Sequence, residues 1–117
     1  MIMLQIDESI WDTDRMQQLL LAIVMVENKA QAKAVLRDLL TEKEIQEFAN
    51  RLEVARLLKN NTSYDDIQAQ VPVSTTTIAR ISKWLNQGAG GYQLVLRALE
   101  TTYADHLHTR PNNEKSY

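Results

Sequence analysis

Apolar and polar positions alternate along this chain with helical spacing almost throughout, and one stretch departs from it. Leu19 to Val26 is a run of eight consecutive apolar residues. Asp12 or Thr13 can cap a helix that carries this run. Residues 1–10 ahead of it read as an irregular arm. A helix that is apolar all round is buried all round. A chain of 117 residues can hardly cover such a helix by itself. The economical solution is a dimer in which this helix lies in a shared core. A second, shorter helix is expected from about Ala30 to Leu39, with Val35, Leu36, Leu39 and Leu40 apolar.

The next start signal is the clearest in the sequence. Thr41 is followed three residues later by Glu44, the pattern of a capping box. Apolar residues then recur at Ile45, Phe48, Ala49, Leu52, Ala55 and Leu58. Asn60 and Asn61 end this helix. Ser63 and Asp66 repeat the capping pattern and open a short helix, Tyr64 to about Gln70. Pro72 disfavours helix in the residue before it and breaks the chain. Ser74 caps a helix from Thr75 to about Asn86, with Ile78, Ile81, Trp84 and Leu85 apolar. Gly88 is a helix-stop residue. A last helix, Tyr92 to about His106, carries Leu94, Val95, Leu96, Leu99 and Tyr103. Residues 11–106 therefore read as one helical domain, and 107–117 as a flexible polar tail.

Composition narrows the class. There are three glycines, all between Gly88 and Gly91, and two prolines, Pro72 and Pro111. A β-rich or α/β domain spreads turn glycines along its length, and a phosphate-cradling loop needs a glycine-rich turn before a helix. Neither is available over the first 87 residues, so the fold class is all-α. The absence of cysteine excludes a disulfide scaffold, a zinc ribbon and a thiol nucleophile. Eight apolar residues are too few to span a bilayer, and no basic-then-apolar leader opens the sequence, so a cytoplasmic protein without a membrane partner is expected. No Ser-His-Asp or paired-carboxylate arrangement is identifiable, so no enzyme and no cofactor are expected. Asp105, His106 and His108 lack further ligands to complete a metal shell, so no metal is expected either.

Charge is uneven. Residues 1–50 hold nine acidic and five basic side chains, whereas residues 51–97 hold three acidic and six basic. The overall pI of about 5.6 argues weakly against nucleic acid. The local positive excess matters more, because one face makes phosphate contacts.

Two short helices joined by a tight turn, at about residues 63–86, read as a helix-turn-helix. The second helix must present short polar and basic side chains near its N-terminus to reach base edges. Ser74, Thr75, Thr76, Ala79, Arg80 and Lys83 form that set, opposite a packing stripe of Ile78, Ile81 and Leu85. Arg51, Arg56, Lys59 and Gln68 are candidate phosphate contacts, which position a protein on DNA. The bland alternative is a pair of packed helices with a solvated polar face. Asp65 and Asp66 count against a strongly basic footprint, although acids suit the start of a helix. The glycine segment has two readings: a tight helix–helix connection, or a turn whose amides hold a phosphate.

These residues resemble a known family. Leu-Thr-Glu-Lys-Glu-Ile at 40–45, Ser-Thr-Thr-Thr-Ile-Ala-Arg-Ile at 74–81 and Leu-Asn-Gln-Gly-Ala-Gly-Gly-Tyr at 85–92 look like the Trp repressor family and its YerC/YecD-like subgroup. The resemblance covers Leu40 to Leu99 well and the N-terminal helix in character only. It implies a six-helix protomer, an intertwined homodimer and binding of double-stranded operator DNA, with a two-fold axis that calls for a pseudo-palindromic site. It also implies an effector pocket at Leu40, Thr41, Arg51, Thr77 and Arg80, the two arginines sandwiching an indole. Two positions depart. Ile81 stands where tryptophan-binding members have glycine, and Trp84 stands where they have a small serine. Both enlarge side chains in a packed site, so the pocket is expected to be closed, with the two as plain core residues. The expected function is a DNA-binding transcriptional regulator that does not use free tryptophan in the family's way. A helical protein–protein adaptor with a vestigial helix-turn-helix is the competing reading.

Overall fold

In a computed structural model, the backbone is described for residues 8–109 and side chains up to Thr102. Every regular element among the described residues is helical. A short 3₁₀ turn, Glu8–Trp11, precedes six α-helices. They are α1 (Asp14–Met25), α2 (Lys29–Leu39), α3 (Glu42–Lys59), α4 (Tyr64–Gln70), α5 (Thr75–Gln87) and α6 (Gly91–Thr109). Contacts divide the chain into two compact units, with the boundary inside α3 between Glu53 and Val54.

Local capping explains most helix starts. Thr13 accepts from the Met16 amide, and Asn28 from the Gln31 amide. Asn28 is the cap of α2, one residue earlier than the apolar pattern suggested. The capping box at α3 is reciprocal: the Thr41 amide donates to Glu44 Oε1 at 2.9 Å, and the Glu44 amide donates to Thr41 Oγ1 at 3.1 Å. Ser63 and Ser74 cap α4 and α5 through the amides of Asp66 and Thr77. At its C-terminal end α3 stops through Asn61, whose φ of 63° is left-handed. Asparagine tolerates that conformation better than most residues. The Thr62 amide then turns back to the Leu57 carbonyl at 3.0 Å.

The unit that begins at Val54 has its own core. Val54, Ala55 and Leu57 of α3, Ile67 of α4, Val71 of the turn, Ile78, Ile81 and Leu85 of α5 and Leu96 of α6 are all buried. Helix α5 packs against both α4 and α6. An ion pair between Lys59 Nζ and Glu100 Oε2, at 3.6 Å, ties the end of α3 to α6.

The other unit holds the described residues up to Glu53, and none of them is buried. Leu19, Leu20, Leu21, Ile23, Val24 and Met25 of α1 are exposed, Val24 to 76%. Leu39 and Phe48 are exposed as well. The apolar run therefore forms the expected helix, but its own chain does not bury it.

Two ends run further than their sequence patterns suggested. The described end of the segment read as an arm, residues 8–10, is the start of the 3₁₀ turn, which is held at Trp11 by the Gln17 side-chain amide on its carbonyl at 2.7 Å. Helix α6 continues past His106 to Thr109. The side chains of Asp105, His106 and His108 lie outside the described residues, as do residues 110–117 of the tail.

Candidate functional site

The geometry of residues 63–88 is set by local chemistry. Pro72 supplies no N–H. The Val73 amide donates back to the Val71 carbonyl at 2.8 Å, which folds the chain sharply across the proline. Helix α5 starts at once, because Ser74 Oγ accepts from the Thr77 amide and donates to Thr77 Oγ1, both at 3.1 Å.

Helix α5 is sharply two-sided. Ile78, Ile81 and Leu85 are buried, whereas Ser74, Thr75, Thr76, Ala79, Arg80 and Lys83 are all exposed. Their spacing of three and four residues gathers Thr76, Ala79, Arg80 and Lys83 on the face away from the core. That face is short-chained at its N-terminal end and cationic further along. It can enter a groove and offer hydroxyls, a methyl surface and two cations to base edges and phosphates.

The candidate phosphate contacts are more dispersed. Arg56 is exposed on α3. Lys59 shares its charge with Glu100. Gln68 is exposed on α4, and its Nε2 donates to the Val73 carbonyl at 3.0 Å, so one of its two amide hydrogens is engaged within the protein. Arg51 is exposed, with its guanidinium 5.6 Å from the centre of the Phe48 ring one helical turn earlier.

The positions expected to form an effector pocket divide between the two units. Leu40, Thr41 and Arg51 belong to one, and Thr77, Arg80, Ile81 and Trp84 to the other. Ile81 is fully buried, in agreement with its reading as a core residue. Trp84 is different. It keeps 40% of its surface exposed, so within this chain it is not a core residue. Its place on α5 accounts for this. Three residues beyond Ile81 and one before Leu85, it falls at the edge of the buried stripe.

The glycine turn follows directly. The Gly88 amide donates to the Trp84 carbonyl at 2.9 Å as α5 ends. The φ of Gly88 is −82°, so it is not needed for a left-handed cap. Its requirement is space: a Cβ there would lie 2.4 Å from the Trp84 carbonyl oxygen. Gly90, at φ +95°, is the residue that needs glycine's backbone freedom. Gln93 Nε2 reaches back to the Leu85 carbonyl at 2.9 Å and closes the elbow. Sequence reasoning did not find this bond. It links residues eight apart and has no motif of its own.

Among the described residues, no group of three or more His, Asp or Glu side chains could hold a metal ion, and no helix is long and apolar enough to cross a membrane.

Comparison with known proteins places these features. The family model for the Trp repressor protein matches residues 14–100. The uncharacterized protein YerC of Bacillus subtilis (strain 168) is 34% identical over 87 residues, covering 74% of this chain and 84% of that protein. A candidate Trp repressor from Staphylococcus aureus, known from its crystal structure, is similar with a TM-score of 0.74 and 28% identity, over 82% of this chain and 96% of the other. The crystal structure of a TrpR-like protein from Eubacterium eligens ATCC 27750 gives a TM-score of 0.73 and 33% identity, over 79% and 95%.

Proposed function

Because the chain belongs to the Trp repressor family, a family of DNA-binding regulators and not of enzymes, we propose that it is a homodimeric transcriptional regulator that reads a pseudo-palindromic operator with α5. The observation that carries this reading is the two-sided α5. Thr75, Thr76 and Ala79 read bases, Arg80 and Lys83 meet bases or phosphates, and Ser74 holds the helix start against the backbone. Arg51, Arg56 and Lys59 contribute phosphate contacts. The half-sites lie about one helical turn apart, roughly 34–36 Å. The protein works where the DNA is, in the cytoplasm.

The second copy is the cover for α1. None of the described residues up to Glu53 is buried, and Leu19 to Met25 present a continuous apolar surface. Isolated exposed apolar residues are ordinary, but a patch of this kind marks an interface. The isologous symmetry of such a dimer matches the symmetry of a palindromic site.

Free tryptophan is not the corepressor. Ile81, at the position where tryptophan-binding members have glycine, is a branched side chain and is fully buried.

Selection of bound sites from random duplex DNA, run with and without tryptophan, tests the reading. A paired half-site motif that emerges in both arms is the expected result. Enrichment only with tryptophan overturns the closed pocket. The exposed Asp65 and Asp66 on α4 favour one competing reading, a protein–protein adaptor. An adaptor would give no motif and almost no salt dependence on bulk duplex DNA. A regulator gives a steep log–log slope.

A further inference from the structure

We infer that Gln68 and Gln93 are positioning residues that pin α5 at both ends, and that in doing so they set how sharply the protein separates its own operator from other DNA. The second half of this inference rests on the proposed role of α5 as the base-reading helix. The pinning itself stands on hydrogen bonds alone.

The two glutamines act on opposite ends of one helix. Gln68, in the last turn of α4, donates from Nε2 to the Val73 carbonyl at 3.0 Å. Val73 immediately precedes the cap Ser74, so this bond holds the point where α5 begins. Gln93, in the first turn of α6, donates from Nε2 to the Leu85 carbonyl at 2.9 Å. Leu85 lies in the last turn of α5, where carbonyls lack partners within the helix. Each side-chain amide thus fills an acceptor that no helical bond reaches. The flanking turns are tight as well, one across Pro72 and the other at Gly88.

Two anchors do what one cannot. Helix α5 has 13 residues, about 20 Å of length. Held at one end, it can pivot. The apolar stripe Ile78, Ile81 and Leu85 attaches it to the core, but apolar attraction is non-directional and tolerates small rotations. Directional bonds at both ends remove that freedom. Base-edge recognition needs donors and acceptors placed within about 0.5 Å, whereas attraction to phosphate is tolerant of position. Loosening α5 therefore weakens operator binding selectively and leaves non-specific binding in place.

Gln68→Met and Gln93→Met remove the donors, keep the side-chain length and change no charge. Each variant of the full chain would be measured three ways: affinity for a selected duplex against bulk duplex across a salt series, hydrogen exchange of the α5 amides, and thermal unfolding. The loss of one hydrogen bond predicts a roughly three- to tenfold loss on the selected duplex. Bulk affinity and salt slope stay unchanged, α5 amides exchange faster, and the melting temperature moves little. Equal losses on both duplexes would instead show direct phosphate contact by the glutamine and overturn the inference. So would unchanged α5 exchange in both variants. If the native protein prefers no duplex over bulk DNA, the base-reading role falls and the discrimination falls with it. The exchange rates still decide whether the glutamines pin the helix.

Discussion

Ile81 and Trp84 are three residues apart on one helix, yet one is fully buried and the other 40% exposed. Trp84 falls at the edge of the stripe that periodicity draws on α5, and the neighbouring helices cover the centre of that stripe and not its edge. Titration calorimetry of the native protein with free tryptophan should give no binding heat, because Ile81 stands where tryptophan-binding members have glycine. Arg80→Ala should weaken operator binding by about 1–3 kcal/mol, roughly five- to 150-fold, with the dimer intact in sedimentation. The glycines differ in the same residue-specific way. At Gly88→Ala a new Cβ meets backbone at 2.4 Å, which should cost about 1–3 kcal/mol. At Gly90→Ala there is open space but a positive φ, worth about 1–2 kcal/mol. Gly91→Ala has open space and no such strain, and should be neutral or slightly stabilising. Urea unfolding of the three variants checks this order.

At the scale of elements, five helices begin on a side chain that accepts an early backbone amide: Thr13, Asn28, Thr41, Ser63 and Ser74. These caps were visible in the sequence wherever a Ser, Thr or Asp stood ahead of an apolar repeat. Asn28 was less visible because the apolar pattern of α2 starts only at Ala30, although Gln31 stands three residues on and its Oε1 accepts from the Glu27 amide. Thr41→Ala should destabilise α3 by about 1 kcal/mol, and Ser74→Ala should act similarly on α5. The distinguishing measurement is DNA affinity, which Ser74→Ala should lower more than Thr41→Ala because it frays the reading helix at its start. Core truncation is costlier. Ile78→Ala removes a fully buried side chain between α5 and its neighbours and should cost about 2–5 kcal/mol.

On the scale of the whole molecule, charge and apolar surface are segregated along the chain. The cationic excess falls in residues 51–97, which contain α4 and α5, and the exposed apolar helix falls in the acidic first half. One half thus suits phosphate and the other a second copy of itself. Val24→Glu places a charge on the most exposed residue of the α1 run. It should shift the protein toward monomer in sedimentation equilibrium and abolish high-affinity operator binding. Weak, salt-dependent binding to bulk duplex should persist, because each protomer keeps its own cations.

The sequence by itself determined the all-helical class, the order of the helices, most of their caps, the turn at Pro72 and the two-sided character of α5. These are properties of residues within about one turn of each other, and hydrogen-bond geometry over that range leaves little choice. Tertiary structure alone decided which apolar residues are covered. It buried Ile81 and left Trp84 open, gave residues from Val54 onward a core, and gave the described residues before it none. It also set two glutamine amides on the ends of α5 and made Gly88 a matter of space and not of backbone conformation. Burial and side-chain bonds between helices depend on what the fold brings alongside, and a one-dimensional pattern carries no record of that neighbour.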